Sequence, residues 1–186
     1  PGATYKFEVN GSASTTSLYL PNTASASVGG IYFGTTRFFH NYGTANTFGG
    51  SATGNIATAG TYNTAYGHQA LQSTSGSQNV GMGVYALQAS TGSYNIGIGF
   101  AAQYNANSGS YNVSLGDYTL VSGNGSYNVA LGTNALRNVS TGSSNSVAVG
   151  ASAGYAATGA NNIFLGYQAG NNLTTGTNNI IIGYDI

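Results

Sequence analysis

The chain has 186 residues, of which three are Lys or Arg and three are Asp or Glu, and it carries no formal net charge. It therefore lacks the basic footprint that neutralising nucleic-acid phosphates or an anionic bilayer requires. Thirty Gly, two Pro, no Cys and no Trp accompany 41% apolar or aromatic residues. No apolar run reaches the roughly eighteen residues of a membrane helix, so neither nucleic acid nor membrane insertion is expected.

Residues 1–42 form one region. Lys6-Phe7-Glu8-Val9 alternates, Asn10-Gly11 is a hairpin turn signal, and Leu18-Tyr19-Leu20, Ile31-Tyr32-Phe33 and Arg37-Phe38-Phe39-His40 read as short strands. This predicts a small N-terminal β domain that caps or joins a repeat domain. From residue 43 to 186 one frame recurs nine times: a Gly, an Asn three residues on, and a second Gly usually four residues after the Asn. The first Gly falls at 43, 60, 76, 92, 109, 125, 142, 159 and 176, a step of sixteen or seventeen residues. Such a step predicts a solenoid, in which each coil buries its apolar face only by stacking on its neighbours. Apolar residues locked to fixed phases also argue against a disordered low-complexity linker.

The phases after the Asn alternate as a strand does. One step on lie Thr47, Thr64, Val80, Ile96, Val113, Val129, Ile163 and Ile180; three steps on lie Tyr66, Met82, Ile98, Leu115, Leu131, Leu165 and Ile182. These two rows are expected to point inward. The small residues between them, Ala65, Gly81, Gly97, Ser114 and Ala130, are then expected to form a flat outward face where another chain packs. Turn glycines close each strand at Gly67, Gly83, Gly99, Gly116, Gly132, Gly150, Gly166 and Gly183, positions suited to positive φ or tight backbone stacking. Three residues later comes a second inward row, Ala70, Ala86, Ala102, Ala135, Ala153 and Ala169, often followed by Leu. Two inward stretches and two turns per coil describe an all-β, parallel, two-sided β-roll of about nine coils. At about 4.8 Å per stacked strand it would be about 43 Å long.

Asn46, Asn63, Asn79, Asn95, Asn112, Asn128, Asn145, Asn162 and Asn179 form the strongest ladder. Each amide is expected to bond turn backbone and the next Asn. A row of amides without carboxylates is a poor cation site, so no metal is expected. The coil beginning at Asn145 is one residue longer, which a bulge at Ser146 would absorb. Tyr62, Tyr94, Tyr111 and Tyr127 form a partial ladder that either stiffens the corner or offers a glycan-stacking platform. Hydroxyls flanking the first Gly, such as Ser108 and Ser110, Thr141 and Ser143, Thr175 and Thr177, resemble the flat arrays of ice-binding solenoids.

Little in the chain suggests catalysis. His40 and His68 lie in different segments, and Glu8, Asp117 and Asp185 are far apart in sequence, so no acid–base pair or cofactor site is expected. His68 is expected to be solvated, and Asp117 to meet Arg137 or solvent. The Asn-x-Ser/Thr acceptors at Asn10, Asn112, Asn124, Asn138 and Asn172 are expected by chance in this composition. The last segment, Ile180-Ile181-Ile182-Gly183-Tyr184-Asp185-Ile186, shows no polar cap, so docking on the next subunit's N-terminal region would build a head-to-tail filament.

Ser144-Asn145-Ser146-Val147-Ala148-Val149-Gly150 resembles the head repeat of trimeric autotransporter adhesins of the YadA type. Thr91-Gly92-Ser93-Tyr94-Asn95-Ile96-Gly97-Ile98-Gly99 is similar to repeats of phage tail-fibre-like and bacterial surface proteins, many of which carry an endosialidase-type intramolecular chaperone. The resemblance implies a left-handed roll, trimerisation along it, and display outside the cell or on a virion. The expected role is a self-assembling structural subunit of an extracellular fibre. A receptor- or glycan-binding segment of an adhesin or tail fibre is the alternative, with ice binding a third reading.

Overall fold

The computed structural model describes residues 30–54, 60–105, 108–122, 125–139 and 142–185. The strand and turn readings made for residues 1–29 lie outside them. The described residues form one sheet of eleven strands with no helix. Strands β1 (Ile31–Phe33) and β2 (Thr36–His40) are an antiparallel hairpin, and β2 pairs antiparallel with β3 (Thr47–Gly49). From β3 onward every pairing is parallel and in sequence order: β4 (Thr64–Tyr66), β5 (Val80–Met82), β6 (Ile96–Ile98), β7 (Val113–Leu115), β8 (Val129–Leu131), β9 (Val147–Val149), β10 (Ile163–Leu165) and β11 (Ile180–Ile182). Nine stacked strands bound eight turns of a β-solenoid. The described part of the N-terminal region thus continues the sheet across residue 42, with the His40 ring 4.9 Å from Phe48.

The turn Gly lies seven positions after the first Gly, as from Gly76 to Gly83 and from Gly109 to Gly116, and Ser143 holds that place before Gly150. Length varies only on the return side, nine residues from Gly83 to Gly92 but ten from Gly99 to Gly109. Both glycine columns are closely stacked. A Cβ at Gly83, whose φ is +130°, would lie 2.5 Å from the Gly99 carbonyl oxygen. A Cβ at Gly76 would collide with the Gly92 carbonyl.

The face opposite the sheet is a stack of hydrogen-bonded turns. Leu71 N–H donates to the Ala86 carbonyl of the next coil, and Leu87 N–H to that of Ala102. Gln69 N–H donates the other way, to Ser51 of the preceding coil. Such reversals come from left-handed backbone, and the positive-φ residues other than Gly fall in three columns. One precedes the Asn rung (Tyr62, Tyr94, Tyr111), and the others lie two and four residues past the turn Gly (Gln69, Tyr85, Tyr118; Leu71, Leu87, Leu120). None of them is β-branched, as the steric cost of this region demands.

The strand orientation expected from the alternation is reversed. Ala65, Ser114 and Ala130 are completely buried and Gly81 and Gly97 are buried with them, so the small middle row faces inward and is no self-assembly face. The flanking rows face out: Tyr66, Met82, Ile96, Leu115, Ile163 and Leu165 are all exposed. The reason is volume. Gly81 meets the buried Leu71 on the turn face and Gly97 meets Leu87, while Ser114 meets the buried Gln103, whose Nε2 donates to its Oγ. Where the centre is Phe the opposing residue is Gly, Phe48 over Gly54 and Phe164 between Gly154 and Gly170. The interior is too thin for two large layers, so close packing sorts one large residue against one small.

Candidate functional site

The outward rows of β4–β11 make a continuous apolar stripe on the sheet. In-register pairing stacks Ile96 beside Val80 and Val113, and Leu115 beside Ile98 and Leu131. Leu115 is 50% exposed and Leu165 44%. Three-residue strands at about 3.3 Å per residue make the stripe about 10 Å wide, and eight strands at about 4.8 Å make it about 38 Å long. Its area of about 400 Å² is of the size that marks an interaction surface, whereas scattered single apolar residues mean nothing. At the far edge of the sheet, Ile180, Ile182 and Tyr184 are 70%, 63% and 75% exposed.

The Asn column runs along the corner beside this stripe and is internally satisfied. Asn95 Nδ2 donates to the Gly109 carbonyl at 2.9 Å, and its Oδ1 accepts the Asn112 N–H at 2.9 Å. Asn46, Asn63, Asn79 and Asn112 repeat this pattern with Gly60, Gly76, Gly92 and Gly125. Each amide therefore supplies one carbonyl and one N–H that stacking alone would orphan. At the long coil the rung is Ser146, not Asn145. Ser146 N–H donates to Asn128 Oδ1, and its Oγ accepts the Asn162 N–H at 3.2 Å. Asn145 instead takes the positive-φ position before the rung. The strand has no bulge, since Val147, Ala148 and Val149 pair in register on both sides. The extra residue is accommodated between Gly132 and Ser143, where Ser143 stands in for the first Gly and accepts the Asn128 amide.

A second ladder, of serines, lies one step after the first Gly. Ser77, Ser93, Ser110, Ser126 and Ser144 each accept with Oγ the N–H of the preceding coil, at 3.0–3.1 Å. These oxygens are engaged in the backbone, unlike a hydroxyl array laid open to ice. Thr141 lies outside the described residues.

Tyr94, Tyr111 and Tyr127 stack with centroids 4.6 and 5.0 Å apart and planes within 4°. Both faces of Tyr111 are thus covered by its neighbours, and Tyr62 is separated from the stack by the Gln78 coil. The stack offers a ligand edges and hydroxyls, so corner stiffening explains its geometry better than a sugar platform, which needs an open ring face.

Among the described residues the titratable groups do not converge. His40 is buried, with Nε2 2.8 Å from the Thr53 carbonyl and Nδ1 accepting the Tyr42 N–H. Burial holds its pKa below the usual 6.5, opposed by the Thr53 bond and aided by the nearby Arg37 charge. His68 is exposed, edge-on to Tyr85. Asp117 accepts the Phe100 N–H, while Arg137 donates to Asn134 and lies over the Tyr118 ring. The described residues contain no group of three or more His, Cys, Asp or Glu able to hold a metal.

Comparison with family models, curated proteins and solved structures finds no match. The apolar stripe, the serine ladder and the Arg137–Tyr118 stack are the features that strand parity alone did not reveal. Phe48 and Phe164, in the otherwise small middle row and paired with glycines, are the sequence signal for the first of these.

Proposed function

We propose that this protein is a structural subunit of a multimeric extracellular fibre, in which copies lie side by side with their apolar stripes against one another. The observation that carries the reading is the in-register column of outward-facing Ile, Val, Leu, Met and Tyr on a parallel sheet. At about 25 cal/mol per Å², covering about 400 Å² on each copy is worth about 10 kcal/mol per copy before association costs. Two copies joined by the stripe alone would bury only about 800 Å² in total, below the usual range for a stable pair. A closed group of three, as in the adhesin heads that the repeats resemble, lets each stripe meet both others and adds the flanking columns. The near absence of charge on the roll suits a surface that lies between copies.

Electron microscopy of the purified chain, beside the Leu115→Glu variant, tests this. Discrete thickened rods or longer fibres that dissolve into thin single rolls in the variant support the reading. Thin single rolls in both samples refute it.

A further inference from the structure

Away from the stripe, past the turn glycines, the chain holds a second concave feature. Two residues after the turn Gly, Tyr85 and Tyr118 sit two coils apart, and the coil between them carries Ala101. Beside Ala101 opens a cleft of about 340 Å³, whose lining includes these three residues together with Phe100, Tyr104 and Arg137. Phe100 lies 5.8 Å from Tyr85 and 5.1 Å from Tyr118, both edge-on, and Tyr104 lies 5.8 Å from Tyr85. The Arg137 guanidinium is 4.7 Å from the Tyr118 centroid and is braced by a 3.0 Å bond to Asn134. Arg137 is the single Lys or Arg between residues 43 and 186.

We propose that this cleft binds a carboxylate-bearing saccharide, with its hydroxyls on the Tyr85, Tyr104 and Tyr118 phenols and its carboxylate on Arg137. The walls are ring edges and the aliphatic Val121, which suit the C–H groups of a pyranose. Three of the four rings carry hydroxyls that can bond to a polyol, which a purely apolar ligand would not use. A guanidinium held over a ring and by one side-chain bond is pre-organised to receive a carboxylate in its planar fork. The neighbouring Asp117 carboxylate is tied to the Phe100 N–H and does not neutralise Arg137 by a direct pair. The volume is at the lower end for ligand sites, which fits one or two sugar rings and not an extended chain. The site stands independently of side-by-side assembly.

The test is calorimetric titration of the whole chain with alginate and hyaluronan tetrasaccharides, and with neutral chitotetraose. Saturable binding of one acidic probe, at least tenfold weaker for chitotetraose and for Arg137→Gln and Tyr118→Ala, supports the proposal. Circular dichroism of each variant checks that the fold is retained. No binding of either acidic probe at millimolar concentration overturns it, as does binding that Arg137→Gln leaves unchanged or that chitotetraose matches.

Discussion

Replacing Asn95 with Ala removes both halves of one rung at once. The Gly109 carbonyl loses its 2.9 Å partner, and the Asn112 N–H loses its acceptor. Asn95 and Asn112 are both fully buried, so water cannot replace the lost bonds without opening the corner. Each orphaned buried backbone group costs about 1–3 kcal/mol, which puts the substitution at about 2–6 kcal/mol. Asn179 is the internal control. It is only half-buried, and its amide turns back to Asn162, so Asn179→Ala should cost under about 1 kcal/mol. The assay is urea denaturation of both variants, with hydrogen exchange to show whether protection is lost around residues 109–112, since repeat proteins can open locally. Equal small losses at both sites, with exchange at Asn112 unchanged, would refute the view that the ladder holds the corner.

Gly83→Val should prevent stable folding, because the φ of +130° is strained for a β-branched residue and its Cβ would meet the Gly99 carbonyl at 2.5 Å; a cooperative melt near that of the parent would contradict this. Phe164→Ala should cost about 3–5 kcal/mol, and adding Gly154→Leu should recover much of it by restoring the small-over-Leu pairing seen at Gly81 and Leu71; additive losses in a double-mutant cycle would sink the volume argument. The lowered His40 pKa means that the folded chain binds fewer protons than the unfolded chain as pH falls through 6.5. His40's contribution is therefore complete above 6.5 and is lost as pH falls through the folded value, and His40→Gln should flatten the slope of stability against pH between 7.5 and 5. Ser146→Asn should change stability by less than about 1 kcal/mol, because the Gly159 carbonyl that its amide would reach already accepts the Asn162 Nδ2; a thermal melt far below that of the parent would argue against equivalent rungs.

The period, the turn glycines and the inward Ala-Leu row of this roll were legible because stacking forces the same residue into the same place in every coil. Gly99 and Leu87 announce their roles by repetition alone. The direction of the strands was not legible from alternation. A period of two separates the residues of a strand into two faces without saying which face is inside, and here neither face carries the charge that would mark it as solvated. The deciding information is non-local: Phe164 in the small row makes sense only beside Gly154 and Gly170. The cleft was hidden for a similar reason. Ala101 is unremarked in the sequence, and it matters because Tyr85 and Tyr118 occupy the same phase one coil on either side. The Ser146 rung shows the reverse case, where matching the Asn by sequence alignment placed the register one residue early.

Sedimentation equilibrium of the whole chain between 1 and 100 µM decides whether the apolar stripes hold copies together, because the monomer mass is 18.7 kDa. A mass of at least twice that value is expected at micromolar concentration, collapsing to the monomer when Leu115 and Leu165 are both changed to Glu. A monomer of the parent chain at 100 µM would contradict it.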